Sequence, residues 1–152
     1  FAPPPAADIR SWPCVIDADE KFYLKSEGAQ LLASPCDETP SEPCDAAPDD
    51  YDVALAVDRV QRATTLEIRP LSHRWAGLRS FVADRAPVIG ADPDLEGFFW
   101  LAGQGGFGIM TSPAAARTAA SLIVRGSLPR DVEELGLTLE QLSPARTGLE
   151  RG

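Results

Sequence analysis

The sequence predicts an α+β fold, a mixed, mainly antiparallel sheet with helices on one side, and three observations predict it. "KFYLKS" alternates in polarity, placing Phe22 and Leu24 on one face of a strand and Lys21, Tyr23 and Lys25 on the other. Val53, Val57, Val60 and Thr64 recur at helical spacing, with Asp52, Arg59 and Arg62 off that stripe. From Gly97 to Ala116, "GFFWLAGQGGFGIMTSPAAA" leads an apolar strand through a glycine turn into an alanine-rich helix.

The remaining elements follow in order. "CVID", "KFYLKS" and "AQLLAS" read as paired strands between Trp12 and Ser34, the last two joined by a turn at Glu27-Gly28. "PCDETPSEPCDAAPDD" is rich in proline and acid and reads as an exposed connection, with a substrate-selecting loop as the alternative. Asp49 or Asp50 caps a helix that runs to about Thr64 and should lie on the sheet. "TLEIRP" then reads as a short strand, "HRWAGLRSFVADRAPVIG" as a long one ending near Pro87, and "GFFWLAG" as another. Ser112 is the expected N-cap of the next helix and Pro113 its first-turn residue, with Ala115, Ala116, Ala119, Ala120 and Ile123 as a small-residue stripe and Gly126 as the stop. A short helix from Asp131 to Leu135 ends at Gly136, and Thr138 with Gln141 caps a final turn.

Composition narrows the class of function. A chain of 152 residues, 44% hydrophobic and 24% charged, has the size and make-up of a globular domain that buries a core. Its 14 basic against 23 acidic residues give a net charge of -9, which repels phosphate backbones and anionic membrane surfaces and argues against nucleic acid as a partner. No apolar run approaches the roughly 20 residues that span a bilayer, so a cytoplasmic location is expected. Cys14, Cys36 and Cys44 lack C-x-x-C spacing and His73 is the only histidine, so free thiols and no metal site are expected. The chain opens on Phe1 and a proline-rich stretch, as a piece of a longer protein would.

Gly103, Gly105 and Gly108 match the spacing G-x-G-x-x-G of a dinucleotide fingerprint, which also needs a second parallel strand ending in an acid about 20 residues on. "SLPRDVEELG" after Gly126 is helical, so that second strand is missing. What stays open is a glycine turn that lets a backbone approach a flat ligand, with helix N–H groups aimed at it, or a tight turn with no ligand. Arg79 adds a second open choice. Alternation in "WAGLRSF" groups it with Trp75, Gly77 and Phe81, and its partner is either a structural acid or the anionic group of a substrate.

Gly77, Arg79, Asp84, Pro87, the Ile89-Gly90 pair and "WLAGQGGFGI" together resemble the C-terminal pattern of the FAD-dependent amine and D-amino-acid oxidoreductases, a family that includes D-amino-acid oxidase, glycine oxidase and sarcosine oxidase. "DADEKFYLKSEGAQLLASP", "RWAGLRSFVAD" and "GFFWLAGQGGFGI" are most similar to its D-arginine dehydrogenase branch, and the likeness runs from about Trp12 to Arg146. The resemblance implies the C-terminal part of a two-domain FAD oxidoreductase. Residues 1–70 would be a portion of the substrate-binding domain, and residues 71–152 its last strand and the segment returning to the FAD-binding domain. The implied partner is the N-terminal FAD-binding portion of the same protein, with self-association as a further expectation where that portion is absent.

By the same resemblance the cofactor is FAD, and the substrate is a D-amino acid, basic ones such as D-arginine being candidates. The reaction is hydride transfer from the amine-bearing carbon to FAD, giving an imino acid that hydrolyses to a 2-oxo acid. Arg79 would pair with the substrate carboxylate and Tyr23 would donate a hydrogen bond to it. Gly77, Leu78, Gly105, Gly106, Phe107, Gly108, Ile109 and Met110 would contact the cofactor, Met110 standing where the nearest relatives carry glutamine. The alternative is a non-catalytic module or subunit that pairs with another chain.

Overall fold

A computed structural model describes residues Phe1 to Leu149. The chain divides into two compact units, the first ending at Leu78 and the second starting at Arg79.

In the first unit three strands, β1 (Val15–Ile16), β2 (Tyr23–Glu27) and β3 (Gln30–Ser34), form an antiparallel sheet in the order β1-β2-β3. Glu27 pairs with Gln30, leaving Gly28 and Ala29 as a two-residue loop, and Gly28 takes the left-handed φ of 58° that such a hairpin needs. Phe22 and Leu24 are buried, while Tyr23 and Lys25 on the opposite face are half-buried, as the alternation requires. Phe1 exchanges two backbone hydrogen bonds with Leu31.

Helix α1 (Asp50–Ala63) packs on β3. Asp49 is its N-cap, accepting from the Tyr51 N–H at 2.7 Å, and Thr64 closes it through bonds to the Val60 carbonyl. Val60 is fully buried among Phe1, Ile9, Phe22, Leu24, Leu31 and Ile68. Arg59, on the polar side of the stripe, donates from Nη1 to the carbonyls of Lys21 and Pro35, tying the two ends of the hairpin to the helix. The acidic connection between Pro35 and Asp49 carries no helix or strand and is mostly exposed, as expected.

The second unit holds an antiparallel pair, β4 (Val88–Ala91) and β5 (Phe99–Ala102), with Val88 opposite Ala102. Helix α2 (Gly108–Arg125) and the single turn α4 (Leu139–Leu142) both pack on β4, and α3 (Arg130–Glu133) lies between them in sequence. Ile89, Ala119, Leu128 and Leu142 form the core. Gly126 stops α2 in the left-handed region at φ 68°, and Thr138 and Gln141 form a reciprocal capping box on α4. Gly90 is bare because a Cβ there would lie 2.9 Å from Pro144 Cδ.

Three expectations need correction. The sheet is not one mixed sheet but two small antiparallel ones, among the described residues. Neither "TLEIRP" nor the stretch from His73 to Pro87 joins a ladder; residues 71–81 are exposed, and only Val88–Ala91 pairs. Alternation fits a pleat but does not supply its backbone partners. Helix α2 starts at Gly108, four residues before Ser112, so Pro113 lies inside it. Pro113 has no N–H for the Ile109 carbonyl, and the Ser112 hydroxyl donates to that oxygen at 2.8 Å instead. No helix among the described residues is long and apolar enough to cross a membrane.

Candidate active site at the glycine turn

The turn between β5 and α2 is built on the segment Arg79–Val82. The Gly105 N–H donates to the Ser80 carbonyl at 3.0 Å, the bond that holds the two stretches together. Gly103 and Gly105 have φ of 67° and 54°, a conformation only glycine adopts without strain. Each also lacks room for a side chain. A Cβ at Gly103 would lie 3.1 Å from Val82 Cγ1, and one at Gly105 would lie 2.8 Å from the Phe81 ring. These two glycines are therefore required by the chain's own packing.

Arg79 completes the turn. A Cβ at Gly106 would lie 3.2 Å from Arg79 Nη1, so the guanidinium rests against that bare backbone. Among the described residues no acid pairs with Arg79, and it is exposed. The structural salt bridge open in the sequence is thus not formed there.

Helix α2 begins immediately after. Its N-cap is Phe107, whose side chain makes no capping bond. The N–H groups of Gly108, Ile109 and Met110 precede the first intrahelical bonds and carry the positive end of the helix dipole. Phe107, Ile109 and Met110 are exposed, at 62%, 94% and 73%. A donor set of this kind suits the electron-rich edge of a flat ring, and the residues present fit one edge of a flavin.

Behind the turn lies a pair that the sequence did not reveal. Arg146, only 8% exposed, grips Asp84 with two bonds, Nε to Oδ2 at 2.5 Å and Nη2 to Oδ1 at 2.8 Å. It also donates to the carbonyls of Ala86, Pro87 and Ser143 at 2.7, 3.3 and 3.2 Å. Hydrogen bonding from Arg146 lowers the Asp84 carboxyl to about 2, against partial desolvation that pushes the other way. Asp84 stood out in the motif, but its partner is 62 residues away and no spacing rule connects them. No signal in the sequence pointed to it, since Arg85 stands next to Asp84 and offers a nearer cation.

The structure gathers Arg79, Gly105, Gly106, Phe107, Gly108, Ile109 and Met110 in the second unit. Tyr23, Gly77 and Leu78 belong to the first. Tyr23 sits mid-sheet between Ile16 and Ser34, and Gly77 has open space where its Cβ would be. Among the described residues no cluster of His, Cys, Asp and Glu is arranged to hold a metal ion.

Comparison with known proteins gives the family. A family described as FAD dependent oxidoreductase matches residues 1–122. An uncharacterized oxidoreductase of Bacillus subtilis (strain 168), YurR, is 27% identical over 124 residues, covering 78% of this chain and 32% of that protein. The chain thus spans about a third of the length of this curated relative. With four-fifths of its length inside the family match, this chain belongs to the FAD-dependent oxidoreductases, and FAD is the cofactor of its family.

Proposed function

We propose that this chain carries the substrate-carboxylate site and one edge of the flavin site of an enzyme that oxidises D-amino acids. The observation that carries the reading is Arg79, a cation with no acid partner among the described residues, seated on Gly106 where the turn enters an uncapped helix. A planar guanidinium resting on a bare glycine backbone is shaped for two parallel bonds to a carboxylate. A D-amino acid anchored this way has one fixed end, and orientation of its Cα is what such a reaction demands most of the protein.

FAD, when bound, supplies the acceptor for the hydride from the amine-bearing carbon. The substrate nitrogen loses a proton as the imine forms, and water then converts the imine to a 2-oxo acid and ammonia. The chain's own contribution is electrostatic. The N–H groups of Gly108, Ile109 and Met110 would stabilise negative charge on the edge of a flavin ring held at the start of α2, with no reorganisation at the moment of reaction. Tyr23 as a second carboxylate donor, a preference for basic side chains such as that of D-arginine, and a cytoplasmic location enter this reading through the family resemblance and composition.

The test is Arg79→Ala in the full-length protein that contains this chain. Loss of a charge-assisted contact of about 1.5–3 kcal/mol lowers kcat/KM for D-amino acids by roughly ten- to a hundredfold. Unchanged kcat/KM would remove the carboxylate role of Arg79, and no turnover of D-amino acids by the parent protein would favour a non-catalytic module.

A further inference from the structure

We infer that Arg146 is a positioning residue for this site, setting the place of Arg79 through the backbone of residues 80–87 and the glycine turn; this rests on the carboxylate role of Arg79. Arg146 lies beyond residue 122, outside the span that matches the family. Its five bonds converge on one short stretch and on the start of α4's exit: the Asp84 carboxylate, the Ala86 and Pro87 carbonyls, and the Ser143 carbonyl.

From there a continuous line of contacts reaches the site. Asp84 Oδ1 also accepts from the Ala86 N–H at 3.1 Å, and the Arg85 N–H donates to the Val82 carbonyl at 2.8 Å, so residues 82–86 form one closed turn. Val82 Cγ1 and the Ala86 carbonyl flank the position a Cβ of Gly103 would take, at 3.1 and 3.8 Å. Ser80 and Phe81 then hold Gly105, one by the 3.0 Å backbone bond and the other by its ring. Arg79 is the next residue, against Gly106. The segment 79–82 has no strand ladder to hold it, so this packing, the Arg85 guanidinium 5.0 Å over the Phe81 ring and the Arg146 clamp bear on its position.

The guanidinium shape matters. All five bonds use the planar fork, and a lysine ammonium at the end of a flexible stem offers a point charge with three donors that cannot reproduce them. Asp84→Asn keeps the carbonyl bonds and removes the ion pair.

The experiment uses the full-length, FAD-loaded protein with Arg146→Lys and Asp84→Asn, and Arg79→Ala in parallel. Amide hydrogen exchange is followed by mass spectrometry for peptides covering 79–87, 103–108, 143–147 and, as a control, α1. For Arg146→Lys, exchange in 79–87 and 103–108 rises by about tenfold while α1 stays unchanged. KM for the amino acid rises by about tenfold with kcat within about twofold, the signature of weakened ground-state and transition-state binding alike. Asp84→Asn shifts both readouts in the same direction by about threefold, and it decides the matter where Arg146→Lys does not fold.

The inference is overturned if folded variants exchange faster only around 143–147, with 103–108 and KM as in the parent protein. Should Arg79→Ala raise KM while the Arg146 and Asp84 variants leave 103–108 and KM untouched, the inference fails and the function stands. Should exchange rise at 103–108 while Arg79→Ala leaves KM unchanged, the function fails and the mechanical link alone remains.

Discussion

Asp84 and Arg146 show how one residue's ionisation enters the stability of a unit. The folded carboxyl sits near 2 and its ordinary value is 3.8, so acid favours the unfolded chain, which binds the proton more readily. The stabilisation is fully present above the unfolded value and fades as pH falls through about 2. Melting temperatures of the parent and Asp84→Asn should therefore differ by a constant amount above about pH 5 and converge between about pH 4 and pH 2. A difference that persists undiminished at pH 2 would assign the effect of the variant to something other than the pair. Residue chemistry was legible in the sequence where a partner is close along the chain, as for Thr138 and Gln141. Arg146 was not, because only the folded chain brings it to Asp84.

At the scale of elements, helix α1 was legible from its cap and its stripe, because both signals are local and agree. The start of α2 was misread for a physical reason: Ser112-Pro113 mimics an N-cap followed by a first-turn proline, yet the Ser112 hydroxyl lets the proline sit one turn inside. The stretch from His73 to Pro87 was misread because a strand is a relation between two chains of backbone, and alternation describes one of them. Contact between β4 and the segment after α4 yields a sharp expectation. Gly90→Ala places a methyl 2.9 Å from the Cδ of a proline ring that cannot swing aside. The overpacking should cost about 1–3 kcal/mol, read as a lower melting temperature. Pro144→Ala in the same protein should recover part of that loss, and a double-mutant cycle with no coupling between the two positions would remove the clash as its cause.

At the scale of the molecule, the proposed site would offer a flavin one ring edge only, from the backbone at the start of α2. The first expectation is that the chain does not retain FAD by itself. The tight grip on a dinucleotide comes from its pyrophosphate and ribose, which call for a fingerprint turn and an acid at a second strand. A yellow, stoichiometric complex that survives gel filtration of the isolated chain would show that the turn suffices. The Arg146 clamp bears on inheritance as well. The family match ends at residue 122, while Leu128 and Leu142, half of the core of the second unit, and Arg146 all lie past that point. A recombination event that copied only the matched segment would carry the glycine turn into a new gene without the Arg146 clamp proposed to position it. If Arg146 positions Arg79, the stretch of gene that must be inherited together for the site to work is longer than the stretch that the family match covers.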